Sequence, residues 1–149
     1  MNKQQRWILT NFAVVIAVTV AAVIAMLELK NWVNYSEAMR AMEHLGRVVE
    51  DYRHKNGSVP PESYIDGVKN SLEGQARLSN LHYRARWIKV DSPPDEILAY
   101  VTRGYRSLFF RPGAIVLRLD GRVQWMDKKS FDKLLASQQS PMEIELTPK

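Results

Sequence analysis

Basic and aromatic residues interleave in two stretches of this sequence. Arg84, Arg86 and Lys89 alternate with Tyr83 and Trp87, and Arg103, Arg106 and Arg111 flank Tyr105. On a sheet, such a pattern lets cations follow a polyanion while aromatic faces stack on single-stranded bases. It is also what a strand shows when charges face water and Tyr83, Ala85 and Trp87 face a core. Arg84, Arg86, Lys89, Arg103 and Arg106 are the candidates for holding a polyanion, an envelope polymer or an anionic lipid headgroup.

Other chemistry finds less support. His44 and His54 lie ten residues apart on a helical stretch and share no face close enough for one zinc ion. Asp91, Asp95 and Glu96 could offer oxygens to calcium, but that ion wants six or more, and a solvated acidic turn explains them better. Cysteine is absent, which excludes disulfides and thiolate sites. The sequence holds no glycine-rich phosphate loop, no G-x-S-x-G and no H-E-x-x-H. No cofactor, metal or enzymatic activity is expected. The formal charge of +5 draws on Lys3, Arg6 and Lys30 against Glu28 in the first thirty residues, so the remainder carries only +3. That is too small a bias to make nucleic acid an expected partner.

These residues must be positioned by a chain with a distinctive beginning. Residues 1–6 are short and basic. Residues 7–27, WILTNFAVVIAVTVAAVIAML, carry no charge. As a helix they extend about 30 Å, the thickness of a bilayer's hydrocarbon core. Lys3, Arg6 and the terminal amine favour a cytoplasmic N-terminus, and Trp7 and Trp32 suit the two interfaces. A cleaved signal peptide ending at Val23-Ile24-Ala25 is the competing reading, although the apolar stretch exceeds the usual length of such segments. Ala13, Ala17, Ala21 and Ala25 recur every fourth residue and form a shallow ridge on which a second helix could pack; alanine is also simply common in apolar helices.

Residues 28–56 continue the helix as an amphipathic segment. Tyr35, Met39, Met42, Leu45, Val49 and Tyr52 fall on one face. Glu43 and Arg47, and Glu50 and Arg53, are spaced to pair along the other. Arg53, His54 and Lys55 suit a helix C-terminus, Asn56-Gly57 a left-handed cap, and Pro60-Pro61 a stop. Residues 57–137 then read as an α+β head. It holds a short helix around Tyr64, Ile65, Val68 and Leu72, and strands over 82–90 and 97–102, with an extension at Leu108-Phe109-Phe110. A hairpin about Asp120-Gly121 and a helix over 128–137 with Phe131, Leu134 and Leu135 inward complete it. In the hairpin, a three-residue loop ending at Gly121 pairs Leu117 with Val123 and Ile115 with Trp125 on one apolar face and puts Val116 opposite Gln124, and Arg118 opposite Arg122, on the outer side facing water; a two-residue loop mixes apolar and polar on both. Residues 138–149 read as a loose tail. The fold class is α+β, a long N-terminal transmembrane and amphipathic helix packed on a small antiparallel sheet.

This order of parts resembles the type IV pilins and type II secretion pseudopilins. The resemblance rests on the apolar helix running into an amphipathic one, on Tyr52, Asn56, Gly57 and Pro60 closing it, and on the C-terminal strands carrying Gly113, Asp120, Gly121, Val123 and Trp125. It covers residues 7–137. It implies a pilin-like fold, a single-pass protein of a bacterial inner membrane with a periplasmic or extracellular head, and a structural or assembly role in a secretion or surface machine. The implied partners are the lipid bilayer, secretion or pilus proteins, and further copies meeting through the transmembrane helix. Asn11 precedes Phe12 where the class carries Gly, Ile16 stands at the position of its glutamate, and Phe110 stands where related proteins carry His. No prepilin-peptidase site is recognisable. A stand-alone membrane-tethered binding module for polyanions is the other reading.

Overall fold

The computed structural model describes residues 2–69, 71–72, 78, 80–89, 91–103 and 111–146. The first 54 of these residues after Asn2 form a single helix, α1 (Lys3–Asn56). At 1.5 Å per residue it is about 80 Å long. No proline interrupts it, and its end is built as expected. Arg53, His54 and Lys55 fill the last turn, and Gly57 takes the left-handed conformation at φ 70°, its N–H donating to the Arg53 carbonyl at 2.8 Å. A second helix, α2 (Glu62–Lys69), follows the Pro60-Pro61 stop.

Four antiparallel strands then form a meander in sequence order, β1 (Leu81–Tyr83), β2 (Ile97–Arg103), β3 (Gly113–Arg118) and β4 (Val123–Asp127). The β3–β4 register pairs Leu117 with Val123, Val116 with Gln124 and Ile115 with Trp125. Gly121 sits at φ 83°, and its N–H donates to the Arg118 carbonyl at 3.0 Å. The three-residue loop is therefore the one formed, because only this parity gathers the apolar residues on one face. Gly113 is required at the start of β3: a Cβ there would lie 2.3 Å from the Met126 carbonyl oxygen and 2.7 Å from the Trp125 ring.

The helix face of the sheet packs on α1. Ala38, Ala41, Met42, Leu45 and Val49 form one cluster with Leu98, Val101, Ile115 and Leu117. Small residues let the layers approach, and Gly46 sits where a Cβ would come within 3.2 Å of the Leu117 side chain. The opposite face is covered too. The helix α3 (Lys128–Gln138) lays Phe131, Leu134 and Leu135 over Ile97, Tyr100, Ala114 and Val116. Val116 was expected on an outer, solvated face; it is fully buried. The unbroken apolar run Ala114–Leu117 is the pattern of a strand covered on both sides. An irregularity between Ile97 and Ala99 changes which face successive β2 residues take, so that Ile97 reaches the α3 side while Leu98 and Ala99 join the α1 side.

Two further expectations are corrected. The strand over 82–90 stops at Tyr83, and Ala85–Trp87 form a short 3-10 helix instead. The last stretch is not a loose tail throughout, since Pro141–Leu146 form a helix, α4, with Glu143 buried. The extension at Leu108-Phe109-Phe110 lies outside the described residues.

Candidate functional site

Three places in this fold carry the residues singled out by sequence: the outer half of α1, the segment after β1 and the β3–β4 turn.

Among the described residues nothing covers the first half of α1. Between Trp7 and Leu27, twelve large apolar side chains are exposed, among them Phe12 at 66 % and Met26 at 73 %. Removing twelve such side chains from water is worth on the order of 20 kcal/mol. By length and composition this helix can cross a membrane. Its hydroxyls are already satisfied from within, Thr10 Oγ1 donating to the Arg6 carbonyl and Thr19 Oγ1 to the Val15 carbonyl, each at 2.8 Å. Such back-bonding is what hydrocarbon surroundings demand of a polar side chain. Ala13, Ala17, Ala21 and Ala25 lie exposed along this half.

The five basic candidates do not form one surface. Arg84 is 3 % exposed and is withdrawn from any polyanion. Its Nε and Nη2 donate to the two carboxylate oxygens of Glu143 at 2.6 and 2.9 Å, and its Nη1 to the Ile97 carbonyl at 2.6 Å. The turn into the 3-10 helix breaks the strand alternation that would have aimed Arg84 at water. Arg86 is exposed, its guanidinium 5.5 Å from the centre of the Trp87 ring, and Lys89 is exposed as well. Arg103 ends β2, and Arg106 lies outside the described residues.

Glu143 was missed in sequence because it belongs to a stretch read as tail. The signal was present: Ser140-Pro141-Met142-Glu143 has a capping hydroxyl, proline in the first turn and glutamate three residues on. Ser140 Oγ accepts from the Glu143 N–H at 3.2 Å, but the glutamate side chain turns inward to Arg84 rather than back to the cap. The neighbouring Gln138 strengthens this clamp, its carbonyl accepting from Arg84 Nη2 at 3.3 Å and its Oε1 from the Ile97 N–H at 2.9 Å. The C-terminal helix is thereby tied to the strand β2.

At the hairpin turn, Asp120 accepts from the Arg122 N–H at 3.0 Å and from its guanidinium. Partial desolvation pushes the Asp120 carboxyl up, but those hydrogen bonds and the charges of Arg122 and Arg118 outweigh it and hold it below the usual carboxylate range. Arg53 does not pair with Glu50. It donates from Nη1 to the Leu119 carbonyl at 2.6 Å and so ties the end of α1 to this turn, while Glu50 lies 3.8 Å from His54. Tyr83 Oη donates to the Pro60 carbonyl at 2.8 Å, and burial, then the neighbouring Tyr52, pushes its hydroxyl well above the usual tyrosine value. Among the described residues no three carboxylate or imidazole groups come together as a metal site, Asp91, Asp95 and Glu96 included.

The class these observations define is an α+β protein with a long N-terminal helix, half exposed and apolar, half packed on a four-stranded antiparallel sheet. No family model matches the chain, and no curated protein or solved structure matches it either.

Proposed function

We propose that this chain is a single-pass, membrane-anchored structural or assembly component of pilin- or pseudopilin-like architecture, serving a secretion or surface machine. The observation that carries the reading is the division of α1: its first half is apolar and uncovered, and its second half is the spine of the folded head. In this reading the N-terminus lies in the cytoplasm, residues 7–27 cross a bacterial inner membrane, and the head stands in the periplasm or outside the cell. The exposed alanines at positions 13, 17, 21 and 25 are the face for self-association or for a partner's helix. With Arg84 buried, the polyanion-binding alternative keeps Arg86 and Lys89 among the described side chains.

The absence of cysteine makes the test direct. In intact cells, Lys133→Cys in the head is expected to react with a membrane-impermeant maleimide, and Lys3→Cys only after permeabilisation. Ile16→Arg is expected to reduce the membrane-bound fraction, at a cost of about 2.5–3.5 kcal/mol for a cation in mid-span. Purification in mild detergent is expected to bring down further copies or secretion or pilus proteins. A reversed labelling pattern overturns the topology, and a monomer free of such partners overturns the assembly role.

A further inference from the structure

The sheet is mounted on α1 in one sense, and that sense decides which end of the head faces the anchor. α1 lies over β3 and β4. A Cβ on Gly46 would meet the Leu117 side chain and the Gly121 carbonyl, and Arg53, farther along the helix, reaches the Leu119 carbonyl at 2.6 Å. The β3–β4 turn is therefore the end remote from the apolar half. Counting back along β3, Gly113 lies about 13 Å from Leu117. That is the rise of about nine helical residues, and it brings Gly113 level with the first fully buried residue of α1, Ala38. Trp32 stands about 9 Å below that level along the axis. No proline breaks α1, so this end of the head keeps its aim.

The anchor-facing end is basic. Gly113 pairs with Asp127, and the Lys128 N–H donates to the Pro112 carbonyl at 3.1 Å, which gathers Arg111, Lys128 and Lys129 there. All three side chains are exposed. Lys128 pairs with Asp132 at 2.8 Å, whereas Arg111 and Lys129 make no ion pair among the described residues. Asp127 is turned into the cap of α3, accepting from the Ser130 N–H at 3.1 Å. On the adjoining stretch of α1, Glu28 and Glu37 are matched in number by Lys30 and Arg40. Lys89, singled out by sequence for the same chemistry, lines a cleft with Arg53, Gly57 and Leu119 and so belongs to the remote end. With Trp32 at the headgroups, the gap of about 9 Å is close to one Debye length at physiological salt, before any side chain extends across it.

We propose that the anchor-facing end of the head rests on anionic lipid headgroups through Arg111, Lys128 and Lys129. This inference rests on the membrane-anchor reading, and the test separates the two. The chain lacks cysteine, so Ser130→Cys carries a single fluorophore at this end and Ser58→Cys one at the remote end. The full chain is placed in nanodiscs of phosphatidylcholine, with or without phosphatidylglycerol, each holding the same fraction of headgroup-nitroxide lipid. Quenching at Ser130→Cys is expected to be at least about twofold greater in the anionic discs. It is expected to fall to the neutral value in Arg111→Gln/Lys128→Gln/Lys129→Gln and in 1 M NaCl, where the Debye length is about 3 Å. Lys89→Gln should leave it unchanged, and Ser58→Cys should stay unquenched. Equal quenching in the two lipids overturns the proposal, as does a triple variant quenched like the parent. Should the triple variant fail to fold, quenching in the parent that salt does not reduce overturns it equally. Flotation with neutral vesicles reports the anchor alone: a chain that floats without lipid-dependent quenching refutes only the headgroup contact, and one that does not float refutes the anchor and this contact together.

Discussion

Glu143→Ala should unfold the head far more readily than a substitution on a six-residue terminal helix ordinarily would. Arg84 and Glu143 are 3 % and 2 % exposed, and their two hydrogen bonds of 2.6 and 2.9 Å match the guanidinium fork to a carboxylate. Breaking a buried pair by removing one partner costs about 3–5 kcal/mol, because the other charge stays behind. Here Glu96 stands 3.9 Å from Arg84 and can move in as a substitute partner, which puts Glu143→Ala near about 3 kcal/mol. Arg84→Met takes the guanidinium away from Glu143 and Glu96 together and belongs near about 5 kcal/mol. The double variant Arg84→Met/Glu143→Leu removes the mutual dependence, so its loss should fall short of the summed single losses by about 2 kcal/mol or more. The assay is urea unfolding of the full chain in micelles, followed by near-ultraviolet circular dichroism. That signal reports packing around Trp87, Trp125 and Tyr100 and is blind to the helicity of the anchor. The Glu143→Ala thermal midpoint should drop by roughly 10 °C. Losses under about 1 kcal/mol in both single variants, or strictly additive losses, refute the reasoning, since they mean that the pair is solvated in solution.

Two further outcomes follow from the sheet. Gly113→Ala drives a methyl to 2.3 Å from a backbone oxygen of β4, which no rotamer change relieves, so a loss of about 2–3 kcal/mol in urea is expected; a loss below about 0.5 kcal/mol shows that the β3–β4 pairing is looser than described. Tyr83 gives a pH signature. Burial raises its hydroxyl in the fold, so the stability it contributes is complete below the unfolded value of about 10 and is lost as pH climbs through the higher folded value. Tyr83→Phe should cost about 1 kcal/mol at neutral pH through the missing bond to the Pro60 carbonyl, yet its stability should decline less steeply above pH 10; parallel declines refute the assignment.

What could be read from the sequence was what short-range rules decide. The cap at Gly57 follows from local chain geometry, and the hairpin register follows from the parity of Ile115, Leu117, Val123 and Trp125. Met42, Leu45 and Val49 on the helix face follow from the period of Tyr35, Met39, Met42, Leu45, Val49 and Tyr52, whereas the buried Ala38 and Ala41 beside them are not marked by that period. Arg84 was misplaced because alternation with Tyr83 and Ala85 is also a local rule, and here a partner 59 residues away overrides it. No pattern around Arg84 encodes that partner. The second face of the sheet was missed for a related reason. Gln124 and Arg122 look like the solvent side of a hairpin, whereas Val116 is buried by α3, which returns across the strand from the other direction.

The burial profile of α1 also bears on the choice between an anchor and a removable leader. The first fully buried residue of the helix is Ala38, so a chain beginning after Ala25 would keep every core contact between α1 and the sheet. The fold of the head is therefore indifferent to that cleavage. The residues left behind are not. Met26, Leu27, Leu29, Trp32 and Val33 would stand on a helical stub with 73, 57, 61, 56 and 37 % of their surface in water. A free head gains nothing from such a stub, and exposed apolar side chains in one cluster favour association over solubility. In a bilayer the same residues are the last turns of the span and the interfacial belt, with Trp32 at the headgroups. On the proposed reading, the segment from Met26 to Val33 joins the uncovered first half of α1 to the packed second half, and its exposed apolar side chains find their place only if the residues before it stay attached.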